Sequence, residues 1–248
     1  MADKIHDLGL GFWNIRGSFR LGGLLDIGTQ CSLVQLNSGK FIFLDSYSLT
    51  GDLRNQVMTL TNNGQDVEAV LNLHPFHTVH CAQMAQDFPQ AAFYGSTRHK
   101  KQVPQVQWSS DLVESDTVRN RYPELRFSLP QGIDYISANN KVHAGSLLAF
   151  HPASKSLHVD DTFMSPPFKI LRAVLPELML HPTTKAALKK EANAGKQYCD
   201  WATNLAHEWR ETRNFCAAHS GLAEFEEGDF EQALVTAIEK ARPKFENA

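Results

Sequence analysis

The feature that most constrains this fold is an apolar run that leads directly into a cluster of histidines. Residues 67–73 have the composition of a buried β-strand. The next seven residues contain three histidines and Pro75, which cannot donate to a sheet and disfavours helix at the residue before it. The sequence therefore predicts a histidine-bearing loop at the carboxyl end of a buried strand.

Strand and helix patterns alternate around this loop, which is typical of βαβ-like units. Residues 97–120 are rich in polar side chains and are interpreted as an insertion or a long loop. Strands are predicted over residues 11–16, 31–36, 40–45, 67–73, 91–94, 132–136, 145–150 and 156–159, and helices over 52–62, from about 80, over 183–211 and over 229–240.

The chain shows no internal repeat, low-complexity tract or linker, so we expect one domain over residues 1–248 with a helical C-terminal part from about residue 167. Its 24 Lys and Arg against 27 Asp and Glu give a net charge of −3, which disfavours nucleic-acid and membrane partners. The mixed N-terminus and the lack of a long apolar run favour a cytoplasmic location. Four widely spaced cysteines argue against a zinc finger or a disulfide framework.

Three histidines in one short loop suggest a metal site. A metal needs neutral imidazoles that converge from a stiff segment, and a loop capping a buried strand supplies one. The alternative is that His74, His77 and His80 are exposed loop residues that come together by chance.

The order of further motifs resembles that of the metallo-β-lactamase fold superfamily, whose members carry a His-rich loop, a lone His, an Asp after a strand and a late His. The resemblance covers roughly residues 10–225 and includes the opening strand and the buried Asp45. It implies an α+β fold, a four-layer αβ/βα sandwich of two mixed β-sheets flanked by helices. The matching residues are His77, His80, His143, Asp161 and His219.

The resemblance also implies a ligand set and a chemistry. His74, His77 and His143 would hold one metal, His80 and His219 a second, and Asp161 would bridge them. Asp161 and His143 are the expected catalytic residues of a hydrolase acting on an ester, thioester, lactone, amide or phosphoester through a metal-bound hydroxide. The expected cofactor is Zn, with Fe or Mn as alternatives, in one or two ions per chain.

Two departures from the family pattern leave an alternative function open. The loop reads His-x-x-His between residues 74 and 77, one residue longer than the family's spacing, so either the loop bulges to bring His74 in or the first ligand position falls at Pro75 and is lost. Val79 stands where the family has an Asp ligand, and a valine has no lone pair to offer a metal. The alternative is therefore a metal- or ligand-binding protein with weak or no turnover, or an iron-based redox protein.

The remaining candidates are interpreted as follows. The expected partner is a small-molecule substrate. The sequence leaves open whether the chain forms a homo-oligomer. Asp160 is an alternative to Asp161, but neighbours on a strand point to opposite faces, so only one should ligate. His181 and His207 are interpreted as structural and His151 and His158 as surface residues, while His99 lies in a basic stretch that is either solvated surface or a contact for an anionic substrate.

Overall fold

The chain divides into two units, each with its own apolar core. The computed structural model describes residues 3–21, 25–166 and 176–246. The first unit runs to Arg126 and includes His151–Ser154, and the second holds Phe127–Phe150 and the chain from Lys155 onward. Within the described ranges, no helix combines the length and the hydropathy that crossing a bilayer requires. The predicted boundary near residue 167 lies outside the described residues, and the single domain stays a prediction.

The first unit is built on a mixed sheet whose strand order is β1-β2-β5-β6-β7-β8-β9. Pairing is antiparallel from β1 to β6 and parallel from β6 to β9. The strands are β1 (Lys4–Asp7), β2 (Phe12–Gly17), β3 (Arg20–Leu21), β4 (Leu25–Asp26), β5 (Thr29–Gln35), β6 (Phe41–Leu44), β7 (Val67–Leu71), β8 (Ala92–Gly95) and β9 (Trp108–Leu112), and the helices are α1 (Gly51–Leu60), α2 (Cys81–Asp87), α3 (Thr97–Gln102) and α4 (Asp116–Arg119).

Helices α1 and α2 bury their apolar positions in the core of this unit. Leu53 and Val57 of α1 are four residues apart and therefore share one helix face. Cys81 and Met84 of α2 are three residues apart and likewise share one helix face. Strand β7 ends against this packed layer, so the histidine loop that follows it starts from a rigid base.

The second unit contains a sheet of strand order β10-β11-β12-β15-β16 and a separate two-stranded ladder of β13 and β14. Strands β12 and β15 are parallel, and β15 and β16 are antiparallel. The strands are β10 (Arg126–Ser128), β11 (Leu148–His151), β12 (Ser156–His158), β13 (Phe163–Met164), β14 (Met179–Leu180), β15 (Asn214–Ala217) and β16 (Gly221–Glu224), and the helices are α5 (Thr184–Ala187), α6 (Ala194–Glu208) and α7 (Asp229–Glu246).

Helices α6 and α7 pack on each other and cover the core of the second unit. In α7 the buried residues Phe230, Leu234 and Ile238 recur every four positions, which gives one apolar stripe. In α6 the buried Tyr198 and Trp201 belong to a similar stripe, and each ring contacts a neighbouring aromatic side chain.

Three sequence predictions about elements are wrong. Residues 97–120 form α3, β9 and α4 rather than a long loop, because Ser96 caps α3 with the side chain of His99 in place of the usual Glu or Gln. Residues 132–136 form no strand, since Gly132 has a φ of +71° and Ile133 makes only an isolated bridge. The helical stretch over 183–211 is interrupted before Asn193, whose φ is +65°.

Candidate metal centre

The base of the histidine loop is held by a buried carboxylate. Asp45 follows β6, is only 1% exposed and adopts a left-handed φ of +63°. Its Oδ1 accepts hydrogen bonds from the backbone N–H of Leu73 at 2.9 Å and of His74 at 3.4 Å. Its own N–H donates to Leu71 O at 2.8 Å. The end of β7 and the start of the loop are therefore fixed to the neighbouring strand.

His74 and His77 lie together in this loop. Their rings stack with centroids 4.1 Å apart, and the His77 N–H donates to His74 O at 3.0 Å, which closes a tight turn. His74 Nδ1 accepts the Phe76 N–H at 3.1 Å. Because this bond places the ring proton on Nε2, metal binding through Nε2 of His74 requires the Phe76 bond to break. The role of His74 as a ligand stays a prediction.

His80 is held differently from the two stacked histidines. Its Nδ1 lies 2.9 Å from Ser48 Oγ, and its ring lies 4.9 Å from that of Tyr47. Burial lowers the pKa of His80, and the neighbouring His77 lowers it further. Among the described residues, His80 belongs to no group of three ligating side chains whose donor atoms all lie within 4.8 Å. Its role as a ligand also stays a prediction.

Val79 is exposed over 70% of its surface. It therefore does not pack into the core, and its position in the loop is open to a polar side chain.

In the second unit, Asp161 and His219 stand beyond the ends of neighbouring parallel strands. The ladder of β12 and β15 continues past both strands, because the Val159 N–H donates to Cys216 O at 2.8 Å and the Ala218 N–H to Asp160 O at 3.3 Å. This register brings His219 Nε2 to 3.6 Å from Asp161 Oδ1. The carboxyl ends of parallel strands meet at one edge of a sheet, which explains the juxtaposition of two residues so distant in sequence.

His143 contacts the other oxygen of the same carboxylate. Its Nδ1 lies 3.0 Å from Asp161 Oδ2. The segment after His143 is tied to the same region, because Ser146 N–H donates to Thr162 Oγ1 at 3.1 Å. Asp161 is only 2% exposed. Its two carboxylate oxygens therefore contact imidazole rings in place of water.

His181 joins this cluster, although the sequence reading treats it as structural. Its ring lies 5.0 Å from that of His143, and the two side chains and Asp161 each offer a donor atom within 4.8 Å of the others. Burial lowers the pKa of His181, Asp161 opposes that effect, and His143 and His219 add to it. The sequence interpretation missed His181 because its position depends on the β13–β14 ladder, which a single sequence does not reveal.

Asp160 points away from this cluster. Its Oδ1 lies 3.5 Å from Nε2 of the buried His158, while the adjacent Asp161 faces His143 and His219. Asp160 and Asp161 thus have different partners, and which of the two carboxylates binds a metal stays a prediction.

The placement of His151 and His158 at the surface is wrong. Both are buried, and His151 Nδ1 lies 2.8 Å from Ser154 Oγ. Each histidine is the last residue of a strand, and in the turn between the two strands Ala153 and Lys155 are exposed while Ser154 is buried.

His99 is fully buried rather than part of a solvated basic surface. Its Nδ1 accepts the N–H of Ser96 at 3.1 Å and its ring lies 5.5 Å from that of Trp108. Burial lowers the pKa of His99 to about 4, so this side chain is neutral at pH 7 and does not face an anionic substrate.

The cluster of the second unit has the chemistry of a transition-metal site. Imidazole nitrogen and carboxylate oxygen are donors that suit Zn, Fe and Mn. His143 Nδ1 and Asp161 Oδ2 lie 3.0 Å apart, close to the spacing of two donor atoms that share one ion. The residues present in this unit therefore fit a divalent metal.

Comparisons with known proteins identify the fold. No family model and no curated protein matches the chain. Solved structures match over nearly its whole length. A metallo-β-lactamase from Erythrobacter litoralis is 14% identical and covers 96% of each chain with a TM-score of 0.62. The metallo-β-lactamase FIM-1 from Pseudomonas aeruginosa, in its mono-zinc form, is 10% identical and covers 98% of this chain and 97% of its own with a TM-score of 0.63.

These likenesses establish the metallo-β-lactamase fold for this chain. The metallo-β-lactamase DIM-1 is a further example, at 12% identity with a TM-score of 0.61 over 96% of this chain and 98% of its own. The predicted α+β class, with mixed sheets flanked by helices, is confirmed. Identities of 10–14% carry the fold and no more.

The hydrogen bonds of Asp45 at the base of the loop lead to a prediction about stability. Replacing it by Ala leaves two N–H groups without their acceptor, and Asp45→Ala should lower the free energy of unfolding by about 2–4 kcal/mol. Asp45→Asn keeps an acceptor and tolerates the left-handed backbone. This variant should therefore lower the free energy of unfolding by less than Asp45→Ala does. Urea denaturation gives the values, with Asp52→Ala on the exposed first turn of α1 as control. Equal stability of Asp45→Ala and Asp52→Ala would contradict the assigned role.

The burial of His99 leads to a prediction about how stability depends on pH. Its folded pKa of about 4 lies below the unfolded value of 6.5, so the unfolded chain takes up the proton first. The stability that neutral His99 contributes is therefore complete above pH 6.5 and is lost as the pH falls towards 4. Between pH 7 and 4.5 the wild type should lose about 2 kcal/mol more than His99→Gln. Urea midpoints at both pH values measure this, and exposed His207→Gln should behave as wild type. Parallel losses in all three proteins would refute it.

Proposed function

We propose that this protein is a metal-dependent hydrolase that acts on an ester, thioester, lactone, amide or phosphoester bond. The observation that carries the proposal is the set of imidazoles around the buried Asp161 carboxylate in the second unit. The metallo-β-lactamase fold supports it, because the matched proteins bear that enzyme name.

The proposed ligands are assigned unit by unit. In the second unit they are His143, Asp161 and His219. In the first unit they are His74, His77 and His80. Zn is the proposed metal, with Fe or Mn as alternatives, in one or two ions per chain. The mono-zinc form of FIM-1 supports zinc as the first choice.

The chemistry follows from the donor set. When bound, the metal supplies Lewis-acid chemistry, lowering the pKa of a water and polarising the bond to be cleaved. The Asp161 carboxylate lies 3.0 Å from His143 Nδ1 and 3.6 Å from His219 Nε2, and so orients both imidazoles. As the buried carboxylate of the cluster, Asp161 is also the group placed to hold a proton during hydrolysis.

A second candidate function rests on Val79. Its side chain offers no ligand, so the loop of the first unit lacks the carboxylate that the family pattern has at this position. The protein would then bind a metal or ligand with weak or no turnover, or carry out iron-based redox chemistry. A small-molecule substrate, the absence of nucleic-acid and membrane partners, a homo-oligomer and a cytoplasmic location stay predictions.

Metal analysis and an activity panel test the proposed hydrolase. Protein purified without chelator should contain metal and hydrolyse at least one ester, lactone or phosphodiester. His143→Ala, Asp161→Asn and His219→Ala should each lower metal affinity by more than the roughly 10–100-fold that loss of an outer-shell partner costs. Circular dichroism separates a lost ligand from a lost fold, and His207→Ala, on an exposed residue of α6, is the matched control.

Two outcomes would count against this function. A wild type that binds no metal, even after addition of Zn, Mn or Fe, would contradict the proposed hydrolase function and every ligand assignment. A metal-loaded wild type without hydrolysis of any panel substrate would instead favour the second candidate, and a redox-active iron would identify its form.

Val79→Asp tests the loop. Because Val79 is 70% exposed, the new carboxylate stays hydrated and the free energy of unfolding should change by no more than about 0.5 kcal/mol. A charged ligand beside the loop histidines should increase metal binding. Metal titration of stripped wild type and variant, with the melting temperature followed in parallel, measures both effects. No gain in a folded variant would show that the family's Asp position does not fall at Val79; Val79→Asn is the uncharged control.

A further inference from the structure

His181 is brought to the cluster of the second unit by a strand ladder. In the antiparallel pair β13 and β14, Phe163 lies opposite Leu180 and Met164 opposite Met179. His181 comes directly after Leu180, while Thr162 and Asp161 come directly before Phe163. Continuing the register therefore places His181 beside the segment that bears Asp161, and this placement comes from main-chain pairing rather than from a flexible side chain.

The backbone and the ring of His181 are both anchored. The N–H and the hydroxyl of Thr184 donate to His181 O at 3.0 Å and 2.7 Å. On the ring, Nδ1 lies 2.8 Å from Thr183 Oγ1 and accepts the Thr183 N–H at 3.3 Å. The nearer partner is a hydroxyl, which can accept a proton from Nδ1 and leave Nε2 with its lone pair once the longer bond from the Thr183 N–H breaks. At His74, by comparison, Nδ1 accepts the backbone N–H of Phe76 at 3.1 Å.

The distances suit a small metal ion. In a tetrahedral site with bonds of about 2.0–2.2 Å, neighbouring donor atoms lie about 3.3–3.6 Å apart. His219 Nε2 and Asp161 Oδ1 are 3.6 Å apart, and His143, Asp161 and His181 have donor atoms within 4.8 Å of one another. His219 belongs to no such group of three among the described residues, so its ring must rotate to join the other three donors.

The site can also be reached. His181 lines a cavity of about 780 Å³ beside α7, whose lining includes Lys185 and Lys240. The side chain of His143 is 34% exposed and that of His219 is 18% exposed. His181 is therefore open to this cavity, and the side chains of His143 and His219 are partly open to solvent.

We propose that His181 is a metal ligand, and that His143, Asp161, His181 and His219 form a site of three imidazoles and one carboxylate for a divalent ion of the Zn or Co type. This inference rests on the metal dependence in the proposed function but not on hydrolysis. It gives His181 a role that the family resemblance does not assign, and it makes the donor set of the second unit sufficient for four-coordination by itself.

Titration of metal-stripped full-length protein with Co²⁺ tests the proposal, because the visible bands of Co²⁺ report its ligands and coordination number. His181→Ala should weaken Co²⁺ binding by about 100-fold or more and change the spectrum. Thr183→Val removes the hydroxyl that orients the ring while keeping the imidazole, and should weaken binding about 10–100-fold. His207→Ala should leave affinity and spectrum unchanged, since it pairs with Glu231 on the surface of α6 and α7.

The outcomes separate the two proposals. If the wild type binds Co²⁺ and His181→Ala binds it with the same affinity and spectrum, His181 is not a ligand, while metal dependence stands. If the wild type binds neither Co²⁺ nor Zn²⁺, the proposed function fails and the His181 proposal fails with it. If His181→Ala does not fold by circular dichroism, Thr183→Val decides, and an unaltered titration of that variant would overturn the proposal.

Discussion

The arrangement in the second unit depends on one buried charge, the carboxylate of Asp161. A carboxylate that is 2% exposed is costly to bury unless its oxygens are matched by donors or by a cation. Here one oxygen faces His143 and the other faces His219. The same anion sets the orientation of both imidazole rings. A substitution at residue 161 therefore alters the orientation of both rings at once.

Rigid elements hold this anion and its partners. Asp161 and His219 extend from the parallel pair of β12 and β15, and His181 extends from the β13–β14 ladder. The loop of the first unit follows the same principle, since Asp45 clamps the backbone at the end of β7. In both units, polar side chains of short loops are oriented by main-chain hydrogen bonds of the strands beneath them.

Much of this could be predicted from the sequence, and the exceptions have physical causes. The strand before the histidine loop and the residues Asp161 and His219 were accessible because motif order and local apolar patterns survive even where overall identity is low. His181 was not, because its role depends on a ladder between short strands separated along the chain. Likewise α3 was missed because its capping box uses the His99 side chain, and a histidine there looks like part of a basic surface.

The cluster also joins parts of the chain that are remote from one another. His143 precedes Asp161 by 18 residues, and His219 follows much later, after α5 and α6. An ion held by all of them acts as a reversible cross-link that the unfolded chain cannot form. Uptake of the ion and folding of this unit then become one linked equilibrium, in which free metal concentration sets the fraction of folded molecules. If the proposed ion is bound, the lifetime of such a protein would depend on the metal supply of its surroundings as well as on its apolar core.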